Sequence, residues 1–201
     1  MSDAAIDPVF RVLLVCTGNI CRSAFAERLG RAWLEETPAT RAAGVQLTSA
    51  GTRAVVGSGM HPDTALVLAG YGAHAGDFRA RQLSATHLAE ADLVLTMTRA
   101  HRRDVLALAP RGLARTFTLR EAAALLDLVD GGDEIGGSTA PLRARAVVAA
   151  LAEARPRRLA AGDDDVDVPD PINQPVEVHE AVGELIVGAL LPLLRSLAGP
   201  A

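Results

Sequence analysis

The feature that most constrains this chain is the segment of residues 12–23, with the sequence VLLVCTGNICRS. An apolar run ends at Cys16, a short polar loop follows, and Arg22 opens a run with the apolar spacing of a helix. Short apolar runs are typical of buried strands and longer periodic runs of helices, so the segment predicts a strand that feeds a helix through a tight loop. A thiol stands at the first loop position and a guanidinium at the last.

The residue types of this loop are those that bind a phosphate group. Gly18 adopts positive φ freely and Asn19 tolerates it, so the loop can curl and turn its backbone N–H groups inward at a helix N-terminus. Arg22 adds a planar fork that can bind two oxygens of one phosphate. The same positive potential favours the thiolate form of Cys16. The loop therefore predicts a nucleophile at the centre of a phosphate-sized cradle, suited to in-line attack on phosphorus.

Less specific interpretations exist for the same residues. A cysteine that ends a buried strand is usually an inert, small apolar side chain, and Arg22 could simply lie on a solvated helix face. For an isolated cysteine that interpretation is the better one. The addition of Gly, Asn, Arg and Ser at these spacings, directly at a strand-to-helix junction, favours the phosphate cradle.

The segment Cys-Thr-Gly-Asn-Ile-Cys-Arg-Ser resembles the active-site loop of the low-molecular-weight protein tyrosine phosphatases, which has the form Cys-x5-Arg-Ser. Weaker similarity extends along most of the chain. The resemblance implies that Cys16 is the nucleophile, Arg22 the phosphate clamp and Asn19 the residue that shapes the loop. It also implies that the Ser23 hydroxyl stabilises the thiolate. The phosphate-binding loop would then consist of Thr17, Gly18, Asn19, Ile20, Cys21, Arg22 and Ser23.

Length, charge and cysteine usage narrow the class of protein. The chain has 201 residues and a net charge of −4, and such an acidic balance argues against a nucleic-acid partner. No apolar run reaches the roughly 18–20 residues that span a bilayer, and the N-terminus lacks the basic and apolar regions of a signal peptide. The two cysteines lie in one loop and cannot form a disulfide framework of the secreted kind. We therefore expect a cytoplasmic protein with no membrane partner.

Beyond the loop, strand patterns alternate with helix patterns. After a short disordered lead at residues 1–10 and the first strand, we expect strands at 45–51, 91–97 and 114–119 and helices at 24–36, 61–71, 98–108, 120–129, 141–154 and 176–197. This alternation implies a parallel sheet with right-handed crossovers. Together with the resemblance it predicts one α/β domain over residues 11–201, a three-layer fold with a four-stranded parallel sheet flanked by helices in the flavodoxin-like topology. Residues 130–165 are expected to be an elaborated connection.

A second catalytic group is predicted near the end of the chain. A carboxylic acid can protonate the oxygen that leaves from a phenyl phosphate, and the sequence Val-Pro-Asp-Pro presents Asp170 between two prolines that stiffen its backbone. An Asp-Pro pair alone is a common turn element. In the family that the loop resembles, the general acid comes from an Asp-Pro loop just before the final helix. The resemblance therefore implies that Asp170 is the acid, with Asp167 as the fallback.

The predicted reaction requires neither a metal nor a cofactor. Cys16 attacks the phosphate held by Arg22 to give a phosphocysteine, and Asp170 acts first as acid and then as base for the water that releases phosphate. The five histidines show no metal-ligand spacing, and a zinc site with two cysteines would lack its other ligands. The expected partners are a phosphorylated protein carrying phosphotyrosine, and inorganic phosphate or other oxyanions as product or inhibitor.

Cys21 has three interpretations. It could be a passive small residue, or half of a metal pair, which the missing ligands disfavour. The resemblance implies a third role, in which Cys21 is a redox partner that traps oxidised Cys16 as a reversible disulfide. The first and third interpretations remain open at this stage.

The chain departs from the family's usual pattern around the pocket for the substrate ring. The segment Ser-Ala-Gly-Thr resembles the second-strand loop whose serine bonds to the active-site asparagine, so Ser49 is expected to support the site. Val55 stands where many members place an aromatic wall, and Ile172 follows the Asp-Pro pair. These two residues are therefore the expected substrate walls. Phe78 stands where the family often has a histidine in the network of the asparagine and serine.

These departures leave other functions to be considered. Within the family, isoleucine at the position of Ile20 accompanies phosphotyrosine activity, whereas threonine there resembles the phosphoarginine phosphatases. An arsenate reductase built on a similar loop is an alternative from another enzyme class. The thioredoxin-linked type needs further cysteines, which leaves a type that uses a small-molecule thiol. A non-catalytic phosphopeptide-binding module is disfavoured because Cys16, Arg22 and Asp170 are all present.

Overall fold

The computed structural model describes residues 9–129, 136–161 and 166–199. Most of the expected lead, residues 1–8, and two parts of the expected connection, 130–135 and 162–165, lie outside the described residues. The predicted end of the lead at residue 10 is wrong, because Phe10 begins the first strand and is fully buried.

Four parallel strands form the sheet of the described part of the chain. They are β1 (Phe10–Cys16), β2 (Val45–Gly51), β3 (Leu93–Thr96) and β4 (Thr116–Thr118), in the order β2-β1-β3-β4. Strand β1 lies between β2 and β3, and its last residue, Cys16, is in register with Gly51. Because parallel sheets are covered on both faces, the two central strands, β1 and β3, are apolar nearly throughout. The predicted fold class is confirmed.

Helices cover the two faces of the sheet. They are α1 (Arg22–Glu36), α2 (Ala39–Ala42), α3 (Pro62–Gly70), α4 (Ala85–Glu90), α5 (Arg99–Leu108), α6 (Leu119–Leu126), α7 (Ala140–Ala161) and α8 (Val176–Ala198), with a 3-10 helix at Pro110–Arg115. Alternate residues of β1 point to opposite faces. Val12 and Leu14 pack with α1, α3, α6, α7 and α8, whereas Leu13 and Val15 pack with α4 and α5. The sequence did not predict the short helices α2 and α4, because four and six residues are too few to show a helical period.

Helix α7 is longer than the predicted helix at 141–154, and it continues through Pro156. Arg155, which the sequence places in a small basic cluster, lies with its guanidinium 4.1 Å above the Phe117 ring. Its Nε donates to Oε1 of Glu121 at 2.9 Å, and its Nη2 donates to the Thr116 carbonyl oxygen at 2.8 Å. One arginine therefore fastens α7 to both β4 and α6.

Helix α8 is the apolar helix that closes one face of the sheet. By length and composition alone this helix of 23 residues could cross a membrane, although charged residues interrupt its apolar run. Half of its most apolar window is buried within the fold, and α8 packs against α1, α3, α6 and α7. That burial is what the core helix of a layered fold shows.

The close approach of β2 to the loop after β1 predicts an effect of enlarging Gly51. A Cβ there would collide with the carbonyl oxygen of Thr17, a backbone atom that cannot turn aside. We expect Gly51→Ala to lower the free energy of unfolding by about 1–3 kcal/mol, measured by urea denaturation. Gly59→Ala is the matched control, because its Cβ would meet nothing within 4 Å. Equal stability of the two variants would contradict the prediction.

Candidate active site

The loop of residues 16–23, called the 16–23 loop below, lies at the carboxyl end of β1. The strand order reverses direction at β1, and open α/β sheets bind ligands in the crevice at such a point. The positive φ that curls the loop falls on Asn19, at 55°, and not on Gly18. Helix α1 begins directly at Arg22, so the N–H groups of its first turn, which have no partners within the helix, stand beside the loop.

Cys16 sits at the base of this loop, with 2% of its surface exposed. Its Sγ lies 2.9 Å from Ser23 Oγ and accepts a hydrogen bond from the Asn19 N–H at 3.3 Å. Ser23 Oγ already accepts from the Asn19 amide, so its own proton is free to be donated to sulfur. The sulfur therefore has two donors aimed at it.

Asn19 uses its whole amide to hold the loop in place. The Nδ2 group donates to Ser23 Oγ at 2.9 Å and to Ser49 Oγ at 2.8 Å, and Oδ1 accepts from the Arg81 N–H at 2.8 Å. Asn19, Ser23 and Ser49 are all fully buried. The contact of Asn19 with Ser49 is the one that the family resemblance implies. The amide thus ties the loop to α1, to β2 and to the segment after α3.

Glu27 completes this network, and sequence reasoning missed it. Its buried carboxylate accepts from Ser49 Oγ at 2.5 Å, and Arg81 Nη2 and Arg31 Nη1 lie 3.7 and 3.4 Å from its oxygens. Phe78, at the place of the family's histidine, is instead buried against apolar neighbours. A carboxylate from α1 therefore accepts the hydrogen bond that the Ser49 hydroxyl donates here. The spacing of Ser23, Glu27 and Arg31, four residues apart on one helix face, was the available signal.

Arg22 is buried, and its guanidinium faces the segment that carries Asp170. Its Nη1 donates to the carbonyl oxygen of Val168 at 3.0 Å, and its Nη2 lies 2.5 Å from Asp170 Oδ2. Its Nε is buried and has no hydrogen-bond partner among the described residues. Since a buried donor without an acceptor is costly, this N–H is open to an acceptor from outside the chain.

The two candidate acids are held differently. Asp170 is 40% exposed and faces Arg22 across the pocket. Asp167 instead accepts from the Arg99 N–H at 2.8 Å, at the start of α5. Between them the Val168 N–H donates to the Met97 carbonyl oxygen at 2.8 Å, which fastens the segment to the end of β3. The geometry therefore places Asp170, and not Asp167, beside the 16–23 loop.

Cys16, Arg22 and Asp170 line one pocket with a volume of about 240 Å³. Its remaining lining residues are Thr17, Gly18, Ile20, Cys21, Arg53, Val55 and Ile172. Val55 is 47% exposed at the rim, and its N–H donates to the Gly18 carbonyl oxygen at 3.0 Å. The walls are aliphatic, with a guanidinium at the edge. Both predicted wall residues therefore reach the same pocket as the predicted nucleophile.

His101 is a second residue that sequence reasoning missed. Its Nε2 lies 2.8 Å from Thr17 Oγ1, and its Nδ1 lies 2.9 Å from the hydroxyl of Thr98, the residue that caps α5. Burial and the neighbouring Arg22 lower the pKa of His101 from 6.5 to about 4. His101 is therefore neutral near pH 7 and supports the first turn of the 16–23 loop. The Thr-x-x-His spacing at the start of a helix was the only signal.

Cys21 lies on the far side of the loop, and both cysteines are free thiols. Burial raises the pKa of the Cys21 thiol from 9.0 to about 11, with a smaller opposing effect from its hydrogen bond to Thr64. Cys21 is therefore protonated near pH 7. Two histidines, His61 and His179, lie beside it and could share a metal ion with it. Their positions in the chain gave no sign of this proximity.

The lowered pKa of His101 makes stability depend on pH. Between pH 6.5 and 4 the unfolded chain binds a proton that the folded chain does not, so stability falls as pH falls through this window. From pH 7 to pH 4.5 we expect this one group to remove about 2–3 kcal/mol from the free energy of unfolding. Urea denaturation at both pH values measures the loss, and His101→Gln should reduce it by that amount. An identical pH dependence in the variant would contradict the assignment.

Comparison with known proteins identifies the family of the chain. The profile of the family described as low molecular weight phosphotyrosine protein phosphatase matches residues 11–143. The probable low molecular weight protein-tyrosine-phosphatase EpsP of Ralstonia solanacearum is 36% identical over 110 residues, which cover 55% of this chain and 70% of that protein. The protein-arginine-phosphatase of Geobacillus stearothermophilus is 36% identical over 135 residues, which cover 67% of this chain and 85% of that protein.

The fold has solved counterparts as well. The crystal structure of the low molecular weight protein tyrosine phosphatase from T. tengcongensis superposes with a TM-score of 0.62 at 28% identity, and covers 94% of this chain and 97% of that chain. The family profile spans more than half of the chain, including the 16–23 loop and all four strands. The chain therefore belongs to the low molecular weight phosphotyrosine protein phosphatase family.

Proposed function

We propose that the chain is a phosphatase that hydrolyses phosphotyrosine in proteins, without a metal ion, through a phosphocysteine intermediate. One observation carries the proposal: the thiol of Cys16, the guanidinium of Arg22 and the carboxyl group of Asp170 line the same pocket. These are the nucleophile, anion clamp and proton donor that transfer of a phosphoryl group to sulfur needs. Family membership supports the hydrolase class.

In the first step, Cys16 Sγ forms a bond to phosphorus while the bond between phosphorus and the leaving oxygen breaks. The N–H groups of the 16–23 loop and the free Nε of Arg22 stabilise the charge on the phosphoryl oxygens. Asp170, in its protonated form, gives its proton to the leaving oxygen, so that a neutral phenol departs. The products of this step are the phenol and the phosphocysteine.

In the second step, Asp170 takes a proton from water, whose oxygen attacks the phosphorus and displaces the sulfur. Ser23 Oγ lies 2.9 Å from that sulfur and can donate a hydrogen bond to the departing thiolate. Asn19 holds the serine in the orientation that allows this, because its Nδ2 occupies the serine's acceptor side. Inorganic phosphate leaves, and the thiolate and the carboxylic acid are both restored.

The ion pair between Arg22 and Asp170 must change when substrate enters. Without a bound anion, Asp170 Oδ2 is the acceptor at Arg22 Nη2. A phosphate dianion is the stronger acceptor for a guanidinium fork, so it replaces the carboxylate there. Asp170 then loses its partner at Arg22, and its side chain is free to turn toward the leaving oxygen. Substrate binding thus releases the carboxyl group of Asp170, which is the proposed proton donor.

The pocket walls bear on the choice of substrate. Ile20, Val55 and Ile172 offer aliphatic contacts to a ring entering above Cys16. Isoleucine at position 20 favours phosphotyrosine, while the relative from Geobacillus stearothermophilus is named a protein-arginine-phosphatase. Phosphoarginine is therefore the second candidate substrate for this same site. Neither candidate requires a different nucleophile.

Hydrolysis of p-nitrophenyl phosphate in the presence of a chelator tests the mechanism. We expect full activity with the chelator, none for Cys16→Ser, and a fall in kcat of about 10²–10⁴ for Asp170→Ala. Asp167→Asn is the matched control and should stay close to the wild-type rate, because Asp167 is bound to α5. Activity in Cys16→Ser, a requirement for added Mg²⁺, or equal losses in the two aspartate variants would refute the assignment.

A comparison of substrates tests the specificity. We expect kcat/KM to be higher for a peptide with phosphotyrosine than for the same peptide with phosphoarginine. Ile20→Thr should narrow this difference. A wild-type preference for phosphoarginine would reverse the assignment, and reduction of arsenate with a small-molecule thiol would favour the reductase alternative.

We further propose that Cys21 is a redox partner of Cys16 in a cytoplasmic, reducing environment. Two free thiols that line one pocket support this, since Cys21 is then within the same site as a Cys16 oxidised to a sulfenic acid. The thiol then attacks that sulfur and releases water, which forms the disulfide. Mass spectrometry after peroxide treatment should find a Cys16–Cys21 disulfide. Cys16 sulfinic acid without that disulfide would reject the role.

A further inference from the structure

We propose that Cys21, His61 and His179 form a binding site for a zinc-class transition-metal ion behind the 16–23 loop. The three residues come from distant parts of the chain: the loop itself, the residue that precedes α3, and the first turns of α8. One ligand atom from each lies within 4.8 Å of the other two. This site is separate from the phosphatase chemistry and does not depend on it.

The cluster is held in place by its surroundings. Cys21 and His179 are 4% and 3% exposed, and the His61 side chain is 24% exposed. The two imidazole rings are stacked, with their centroids 4.8 Å apart and an interplanar angle of 19°. The His179 Nδ1 lies 2.8 Å from the Thr64 hydroxyl, which fixes the ring's orientation. Metal-bound histidines typically have such a partner on their second nitrogen.

Unpartnered nitrogens supply a second, independent observation. His179 Nε2 and His61 Nδ1 are buried and have no hydrogen-bond partner among the described residues. The carboxylate of Asp63 lies 3.9 Å from His61 Nδ1, beyond hydrogen-bond distance. Buried polar atoms are nearly always paired, since leaving one unpaired costs about 1–3 kcal/mol. Two such nitrogens beside one buried thiol indicate a ligand that accepts their lone pairs, as a metal cation does.

Space for an ion exists beside these atoms. A cavity of about 10 Å³ is lined by two of the three ligands, Cys21 and His179, together with Arg22, Thr64, Pro171 and apolar residues of α1 and α8. This is close to the smallest space that holds one water molecule, so it suits a single ion and excludes an organic ligand. Pro171 directly follows Asp170, so the cavity adjoins the backbone of the proposed acid.

The donor atoms select the class of metal. One thiolate and two imidazoles are typical ligands of Zn²⁺, whereas Ca²⁺ and Mg²⁺ require oxygen ligands. With Zn–S of about 2.3 Å and Zn–N of about 2.0 Å, the donors of a tetrahedral site lie roughly 3.5 Å apart. The observed cluster must therefore contract by roughly 1 Å. The part-exposed His61 ring must also turn out of its stack on His179, since a ligating imidazole holds the ion in its own ring plane. Binding converts the thiol to a metal thiolate and releases its proton to solvent, and water takes the fourth position.

A bound ion has a consequence for the loop. It joins the loop residue next to Arg22 to the start of α3 and to α8. It also occupies the sulfur of Cys21, which is then withdrawn from reaction with Cys16. The site is thus a metal-sensitive control point at the back of the pocket.

Metal titration of the 201-residue chain carrying Cys16→Ser tests the site, because Cys21 is then its only thiol. We expect Co²⁺ to give one equivalent of a thiolate-to-cobalt charge-transfer band, and Zn²⁺ to displace it. Cys21→Ser should abolish the band. His61→Asn and His179→Gln should each weaken Zn²⁺ affinity by more than about tenfold, since changes to a metal's outer shell alone cost that much. The exposed His74 is the matched control, and His74→Asn should bind as the parent does.

Folding of the variants is checked by circular dichroism before each titration. His61→Asn is the decisive variant, because His61 is part-exposed at the N-cap of α3, where asparagine is favoured. Zn²⁺ should raise the Tm of the Cys16→Ser parent and leave the Tm of this variant unchanged. Absence of a one-equivalent band in the parent, or equal Zn²⁺ affinity in the parent and His61→Asn, would overturn the proposal. The phosphatase assay is independent, because it uses chelated, metal-free protein.

Discussion

The amide of Asn19 is the interaction on which the rest of the site depends. A residue at φ 55° would relax toward a more favourable backbone conformation if nothing held it. Three hydrogen bonds from one side chain hold it, and they end on α1, on β2 and on the segment that follows α3. The backbone N–H of the same residue then points at the sulfur of Cys16. The turn at Asn19, the position of the Cys16 sulfur and the shape of the anion-binding loop therefore depend on the same hydrogen bonds.

Much of the site was predictable from the sequence, because the residues that form the 16–23 loop are adjacent in the chain. The strand before it, the helix after it and the anion-binding residue types are contiguous, so no knowledge of distant contacts is required. The second strand and the final helix were predicted almost to the residue, since each has a clear period. The fold class follows from their alternation. Asp170 needed the family resemblance, because an Asp-Pro pair by itself indicates only a turn.

The parts that the sequence did not reveal depend on long-range placement. Glu27 and His101 look like ordinary helix residues until the fold sets one behind Ser49 and the other behind Thr17. The same holds for His61 and His179, which are 118 positions apart in numbering yet stack ring on ring. Phe78 illustrates the reverse case. The absence of a histidine at this position suggests that the hydrogen-bond network of Asn19 and Ser49 is incomplete. The carboxylate of Glu27, one helical turn after Ser23, completes that network instead.

The attachment of the Asp170 segment to the sheet has a consequence for how large molecules reach the site. The backbone of Val168 forms hydrogen bonds both to the end of β3 and to the guanidinium of Arg22. The segment that carries Asp170 is therefore fixed at the residue two positions before the acid. Only the aspartate side chain has to rotate during turnover. Among the described residues, this segment therefore need not close over the reactants, and the crevice stays open on this side. A folded macromolecule can therefore present a single modified side chain without being engulfed.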